Sequence, residues 1–370
     1  PDGRWLAYVG DKGAGDDRER SSRVEIWLVP VDGGEKRQLT QIGANINSYS
    51  WAPDGGAIVL AANRFGRYDI YRVSVPDGET VRLTDDPLYE VYPVFAPDGE
   101  HIFYVRLNEY WTDHEIVQMT VAGKEARTVT TDSDFFDYHY GRKFGYPIVS
   151  AATESVIFPS HRSGWINYWQ APVAGGDARP VYAEASDQTE AVLSPDGGRL
   201  AFVANSNGTA RLMVSSLNEG GGGGSPVVAP GMGVVSAPAW SPDGKQIAYL
   251  VDSPSCPADL WIVEADGGEP RQLTSSPLAQ SLGDKMQRPE KVVYSSFDGL
   301  EISAYLYAPP DRQPGRRYPC LVIVHGGPTN QFSDTFRADV QYFVRKGYVV
   351  LMPNIRGSSG YSKAFEDANN

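Results

Sequence analysis

The chain has 370 residues, 41% of them apolar, with 33 basic and 46 acidic side chains and a net charge of −13. That is enough apolar chain for a large core and too much for a disordered one, and an acidic balance without basic runs excludes the phosphate-neutralising surface that nucleic acid requires. Two cysteines cannot staple a scaffold, and the longest uncharged stretch, 220–242, carries 11 Gly or Pro in 23 residues, which excludes a membrane helix.

Along the chain, a Pro-Asp-Gly turn recurs at positions 1, 53, 97, 195 and 242, at gaps of 52, 44, 98 and 47 residues. The last four are preceded by Ala or Ser and by Trp51, Phe95, Leu193 or Trp240. The longest gap is two periods, and a worn copy falls inside it at Ala152-Thr153-Glu154, followed by Val156-Ile157-Phe158. Six units thus run from residue 1 to about 280.

Each unit has the same grammar. An alternating strand such as Trp5–Val9 or Gln246–Leu250 follows the turn, then a second such as Val24–Val29 or Tyr68–Val73. A glycine turn (Asp32-Gly33-Gly34, Pro76-Asp77-Gly78, Asp266-Gly267-Gly268) leads to a short third strand ending in Leu-Thr at 39–40, 83–84 and 273–274. A fourth, such as Ser48–Trp51, enters the next turn. Period-2 alternation, β-branched and aromatic residues and turn chemistry agree.

Four strands per unit at this period is the pattern of a propeller blade, whereas a β-solenoid has shorter repeats. Six blade repeats are visible, and a ring of six to seven blades is expected over residues 1–285, beginning within a blade. One Asp per turn, a full period apart, is turn chemistry and not a calcium loop, so no metal is expected. The run Gly220–Gly224 reads as an enlarged hairpin loop of the fifth unit. The aromatic and acidic segment Asp132–Tyr140 reads as blade packing with solvated charge, the alternative being a peptide contact at the rim.

From Glu290 the repeat stops. Residues 292–297, Asp298-Gly299 and 301–307 read as a hairpin. The apolar run Cys320–Val324 then ends in His325-Gly326-Gly327-Pro328. A helical stretch, Phe336–Lys346, is stopped by Gly347, and a second apolar run, Tyr348–Pro353, leads into Asn354-Ile355-Arg356-Gly357-Ser358-Ser359-Gly360-Tyr361. Apolar runs alternating with a helix indicate a parallel α/β sheet buried on both faces. His-Gly-Gly after such a strand has a chemical reading: in α/β-hydrolases this loop lends a backbone N–H to the oxyanion hole, and glycines let the main chain come close.

The Pro-Asp-Gly propeller, Ser296-Phe297-Asp298-Gly299-Leu300-Glu301-Ile302, His325–Pro328 and Asn354–Tyr361 together resemble the prolyl oligopeptidase family of serine peptidases, in its acylaminoacyl-peptidase and dipeptidyl-peptidase-like branch. The resemblance implies a propeller that admits short peptides to a Ser-Asp-His triad on an α/β-hydrolase domain. It implies no cofactor. Gly327 matches the family's oxyanion-hole glycine, with Gly326 beside it. His325, Pro328, Asn354, Arg356 and Gly357 match the loops that shape the site. Ser362 and Ala304 depart from the family, which has glycine at these places.

The triad itself is missing. A serine hydrolase needs Gly-x-Ser-x-Gly at a strand-to-helix elbow, then an acid and a histidine, all after the oxyanion loop. No Gly-x-Ser-x-Gly occurs: Ser359 has Gly357 two before it but Tyr361 two after. The histidines are His101, His114, His139, His161 and His325, none beyond the loop. The expected fold is therefore an all-β propeller followed by an incomplete α/β-hydrolase domain, residues 286–370, in a chain cut at both ends and inactive as it stands. Two alternatives stay open: a non-catalytic TolB-like propeller binding a protein or peptide, and an esterase of the same fold. Two unpaired thiols fit a reducing compartment, so a cytoplasmic location is expected.

Overall fold

Asp before Gly closes the same turn at each repeat position. In the computed structural model, which describes residues 2–11, 24–109, 114–131, 136–137, 142–143, 146–218, 224–282, 285–327 and 329–369, Gly3, Gly55, Gly99, Gly197 and Gly244 take φ between 68° and 75°. That is left-handed backbone, which costs a residue without a Cβ nothing. The Gly55 N–H donates to Ala52 O at 3.0 Å, and the Asp54 carboxylate accepts from the Gly56 N–H at 2.8 Å. Asp98, Asp196 and Asp243 accept in the same way from the N–H groups of Glu100, Gly198 and Lys245. The Ser194 and Ser241 hydroxyls, and then these N–H groups, hold Asp196 and Asp243 below the usual carboxylate range. Each carboxylate is spent on its own turn. In the worn copy Glu154 takes φ 46°.

The turns join strands of one sheet. The first sheet is β1 (Trp5–Asp11), β2 (Val24–Pro30) and β3 (Arg37–Gln38); the second is β4 (Asn45–Trp51), β5 (Ala57–Asn63), β6 (Tyr68–Ser74) and β7 (Thr80–Arg82). The third is β8 (Tyr89–Phe95), β9 (His101–Leu107), β10 (His114–Thr120) and β11 (Arg127–Thr131). After a small hairpin of β12 (Phe136–Asp137) and β13 (Arg142–Lys143), the fourth is β14 (Ile148–Ser150), β15 (Ser155–Ser160), β16 (Asn167–Pro172) and β17 (Arg179–Pro180). The fifth is β18 (Asp187–Leu193), β19 (Arg199–Ser206), β20 (Thr209–Ser216) and β21 (Gly224–Val228). The sixth is β22 (Val234–Trp240), β23 (Gln246–Ser253), β24 (Cys256–Glu264) and β25 (Arg271–Gln272), joined to the fifth by one parallel pair, Ala210 with Val234.

Six sheets thus stand where six repeats were read, but one strand out of phase. At the turns beginning at 53, 97, 195 and 242, the strand before the turn pairs with the strand after it, as β4 pairs with β5. Two further details differ. Gly224 lies in β21, not in the loop, and a Cβ there would stand 2.7 Å from the Tyr182 ring. Strands read as alternating, such as β5 and β15, are buried at nearly every position, because stacked sheets cover both faces of a central strand. The segment 132–140 lies outside the described residues except for β12.

The recurrent Leu-Thr has a structural cause. Leu39, Leu83 and Leu273 each donate their N–H, at 2.8 Å, to a carbonyl of the second strand of the repeat, that of Ile26 in β2, Ile70 in β6 or Leu260 in β24. The following threonine hydroxyl accepts from the N–H of that same residue, at 2.9 Å in all three sheets. A buried carboxylate backs the clasp: Glu25 accepts from Thr40 Oγ1 at 2.6 Å and from the Ile42 and Gly43 N–H groups, and Asp259 accepts from Thr274 Oγ1 at 2.9 Å.

The chain divides into two compact units, residues 1–135, 145–158 and 169–179 in one, and 136–144, 159–168 and 180–370 in the other. In the first, Val59, Phe103, Tyr104, Ile116 and Phe158 belong to one buried cluster, and Ile26, Leu28, Ile58, Leu60 and Tyr71 to another. In the second, Leu212, Val235, Ile247 and Tyr249 form a core between the fifth and sixth sheets.

The second unit also contains α1 (Pro277–Leu282) and a last sheet of β26 (Glu290–Ser295), β27 (Glu301–Tyr307), β28 (Cys320–Val322) and β29 (Val349–Pro353), in the order β26-β27-β29-β28. β26 and β27 are the expected hairpin, and β28 and β29 are parallel. Helix α2 (Ala338–Arg345) connects them and ends at Gly347, φ 88°. Val340 and Val344 of α2 pack on Tyr305, Tyr307, Val350 and Met352. A short α3 (Lys363–Glu366) follows. The expectation of strands buried on both faces fails at β28, an edge strand, where Val322 is 60% exposed and Val324, just beyond it, 53% exposed.

Candidate functional site

The parallel pairing continues past β28, with the Ile323 N–H donating to Leu351 O at 2.9 Å, and then delivers His325, Gly326 and Gly327. Both glycines are exposed, and among the described residues nothing accepts from either N–H. Gly327 has φ 52°, and its carbonyl accepts from the Asn330 N–H at 3.1 Å. A Cβ on Gly326 would meet nothing within 4 Å, so packing alone does not demand glycine there. Pro328 lies outside the described residues.

His325 ties this loop to the one after β29. Its Nε2 is 2.8 Å from Ser358 Oγ, and Ser358 Oγ is 2.6 Å from Ile355 O. A carbonyl only accepts, so the serine proton points to Ile355 and His325 must donate to the serine oxygen. In a serine–histidine dyad the histidine would receive that proton. Ser358, which is buried, is therefore a structural clamp, and the pair has the wrong polarity for a nucleophile and its base. Phe332 meets the His325 ring edge-on at 5.2 Å between centroids.

Asn354 is fully buried, and its amide does three jobs. Its Oδ1 accepts from the Phe332 N–H at 2.7 Å, and its Nδ2 donates to Phe332 O at 3.0 Å and to the Tyr361 hydroxyl at 2.8 Å. The Tyr361 hydroxyl in turn donates to Asn207 Oδ1 at 2.8 Å, at the tip of the β19–β20 hairpin. That tip is held at three more points: Lys291 Nζ donates to Asn207 O at 2.8 Å, Ser303 Oγ to Asn207 Oδ1 at 2.9 Å, and the Asp334 N–H to Gly208 O at 2.8 Å. The Gly360 N–H donates to Asp187 Oδ2 at 2.8 Å. The fifth sheet thus braces the loop that carries Asn354.

Arg356 turns away from His325. It pairs with Asp298 on the β26–β27 turn and lies over Phe297, 5.8 Å from its ring centre, and the pairing holds Asp298 below the usual carboxylate range. Gly357, φ 89°, donates its N–H to Phe365 O at 3.2 Å. Of the residues read from the sequence, His325 and Gly326 line a cavity of about 330 Å³ beside the loop, with Asn330, Gln331, Phe332 and Arg337. Asn354 supports it from behind, while Arg356 and Gly357 do not line it. Gln331, Phe332, Arg337 and Ser358 were not singled out from the sequence; only Ser358, inside the Asn354–Tyr361 stretch, carried a signal. Arg337 pairs with Asp339, the shorter contact at 2.5 Å, and lies over Phe332 at 5.5 Å, and it holds Asp339 low.

The sheets and this loop define a class: a propeller-type β domain followed by the opening part of an α/β-hydrolase sheet. Comparison with known proteins agrees. The family model described as TolB beta propeller domain matches residues 1–137, and that described as the prolyl oligopeptidase family matches residues 334–370. The "Uncharacterized peptidase YuxL" of Bacillus subtilis is 23% identical over 456 residues, covering 100% of this chain and 62% of that protein. The "Dipeptidyl-peptidase 5" of Aspergillus oryzae is 32% identical over 146 residues, 37% of this chain and 19% of that protein. Among solved structures, one from a study of two prolyl endopeptidases has TM-score 0.78 at 17% identity, covering 100% of this chain and 54% of its own. A puromycin-hydrolyzing peptidase of Mycobacterium tuberculosis has TM-score 0.76 at 21% identity, covering 98% and 59%.

The chain is related to the prolyl oligopeptidase family of serine peptidases. It spans about three fifths of the length of YuxL. No helix among the described residues is long and apolar enough to cross a membrane.

Proposed function

We propose that this chain is the propeller and the first part of the catalytic domain of a serine peptidase that cleaves short peptides through an acyl-enzyme. Residues 1–285 form the propeller and restrict access to the site; residues 286–370 supply the oxyanion loop. Gly327, with Gly326 beside it, presents the N–H that stabilises the tetrahedral intermediate. His325, Asn354, Arg356 and Gly357 hold the surrounding loops in place, and Pro328 follows Gly327 in the sequence of the same loop. The observation that carries this reading is the exposed Gly326-Gly327 main chain at the end of a parallel strand, its N–H groups uncommitted among the described residues and its position clamped through His325 and Ser358.

The chemistry is electrostatic. A donor aimed at the developing oxyanion contributes about 3–4 kcal/mol, or 10²–10³ in kcat. Without Gly-x-Ser-x-Gly the 370-residue chain holds no nucleophile and should hydrolyse nothing. Stoichiometric labelling of this chain by a serine-directed phosphonate would overturn that. In a longer form that carries the nucleophile, Gly327→Val should lower kcat by about 10²-fold with little change in KM. An unchanged kcat would remove Gly327 from the oxyanion hole. A panel of peptide and ester substrates on that form separates a peptidase from an esterase.

A further inference from the structure

A groove between the first and second sheets gathers hydrogen-bond donors that have no acceptor. It encloses about 560 Å³ and is bounded by Gln38 and Ile42 on one side and by Arg64, Phe65, Tyr71 and Arg82 on the other. Tyr71 is only 3% exposed, yet its hydroxyl has no hydrogen-bond partner. Burial, and then the nearby Asp69, raise its pKa, so the hydroxyl keeps its proton and is a donor. The Nε of Arg82 is also buried without a partner. Arg64 makes no ion pair among the described residues, and its guanidinium lies 5.4 Å from the centre of the Phe65 ring. Arg82 lies over the same ring at 4.9 Å, and Phe65 is 58% exposed.

The nearby carboxylates do not satisfy these groups. Asp69 and Asp85 both pair with Arg82 Nη2, at 2.9 and 3.1 Å, and leave its Nε free. Asp77 is exposed beside Gly78, at the far end of β7 from Arg82. Buried polar groups are nearly always paired, and an exception asks for a missing partner. Asp69 Oδ1 is buried without a partner as well, but Asp69 does not line the groove. The unpaired groups that do line it are the Tyr71 hydroxyl and the Arg82 Nε–H, so the partner missing there is an acceptor. Guanidinium favours an oxyanion, which it can hold with two parallel bonds. The exposed Phe65 ring adds an apolar surface beside it.

We infer that this groove binds a small oxyanion attached to an apolar group, the anion on Tyr71, Arg82 and Arg64 and the apolar part against Phe65. A peptide carboxyl terminus with an aromatic side chain and an aromatic phosphate share this chemistry. The inference does not depend on the catalytic role proposed for the His325 loop.

The test is titration of the full 370-residue chain, followed by NMR or calorimetry, with N-acetyl-phenylalanine, phenyl phosphate and the neutral N-acetyl-phenylalaninamide. At least one anion should bind about tenfold or more tighter than the amide, since a charged hydrogen bond is at stake, and the stronger anion identifies the source. Arg64→Ala, on an exposed loop, and Tyr71→Phe, which keeps the ring, should each weaken binding several-fold while circular dichroism and the thermal midpoint confirm folding. Binding of neither anion, equal binding of the amide, or undiminished binding by both folded variants would overturn the inference.

Discussion

Replacing Asn354 offers the sharpest test of how the site loop is held. The side chain is fully buried and makes three hydrogen bonds, two to the main chain of Phe332 and one to the Tyr361 hydroxyl. Asn354→Ala removes all three and leaves the buried Phe332 N–H and carbonyl without these partners. Tyr361 suffers less, because its hydroxyl keeps Asn207 as an acceptor. A net hydrogen bond contributes about 1 kcal/mol and a stranded buried group costs about 1–3, so the expected local loss is about 3–5 kcal/mol. Hydrogen exchange at the Phe332 amide is the assay, since a chain of two units need not unfold in one step. Exchange there should accelerate by about 10²–10⁴-fold, while amides of β5 stay as they are. Asn354→Asp keeps the shape but turns the donor into an acceptor facing Phe332 O. It should be as damaging where the acid is ionised, and less so as falling pH protonates it, which burial favours relative to a free acid, because the protonated acid regains a donor. Acceleration below about fivefold for Asn354→Ala would refute the claim that this amide holds the loop.

Glu90 in β8 is buried, and burial, with Asp86 adding and the Thr84 hydroxyl opposing, pushes its pKa from 4.5 up to about 8. Between those values the folded state holds a proton that the unfolded state has lost, so stability should fall as pH rises, by at most about 1.4 kcal/mol per pH unit. Urea midpoints from pH 5 to 8 should show this decline, and Glu90→Gln should flatten it; an identical slope in the variant would sink the assignment. Gly208→Ala would place a Cβ 2.1 Å from the Tyr305 hydroxyl at φ 79°, whereas Gly231 has φ 75° and nothing within 4 Å. The first should cost about 3 kcal/mol or more and the second about 1, and equal denaturation midpoints would show that the Tyr305 contact does not matter. Valine at Thr40, Thr84 or Thr274 leaves one strand N–H without its hydroxyl acceptor. Each should cost about 1–2 kcal/mol, most at buried Thr40 and least at exposed Thr274, and the reverse order in thermal midpoints would contradict the clasp.

Much of the architecture was legible because its signals are local. Pro-Asp-Gly writes a left-handed glycine and a carboxylate that bonds the next amides, so five letters-for-letters copies located the hairpins. The paired apolar runs around Phe336–Lys346 located a parallel strand pair and its helix. The phase of the sheets was not legible, since strand letters look alike before and after a turn and only hydrogen bonding tells which pair. Exposure of β28 was hidden for a related reason: an apolar run records what a strand can bury, not whether a neighbour covers it.

The site divides along the same line. Sequence by itself determined that a His-Gly-Gly loop ends a strand, that an Asn-x-Arg-Gly loop follows the next, and that no Gly-x-Ser-x-Gly accompanies them. These are statements about covalent neighbours and the backbone they permit. Tertiary structure decided that His325 donates to Ser358 and so cannot act as its base, that Asn354 grips Phe332 and Arg356 turns to Asp298, and that the Asn207 hairpin braces Tyr361 from 154 residues away. Hydrogen-bond polarity and burial depend on which atoms meet in space, and no spacing along the chain encodes that directly.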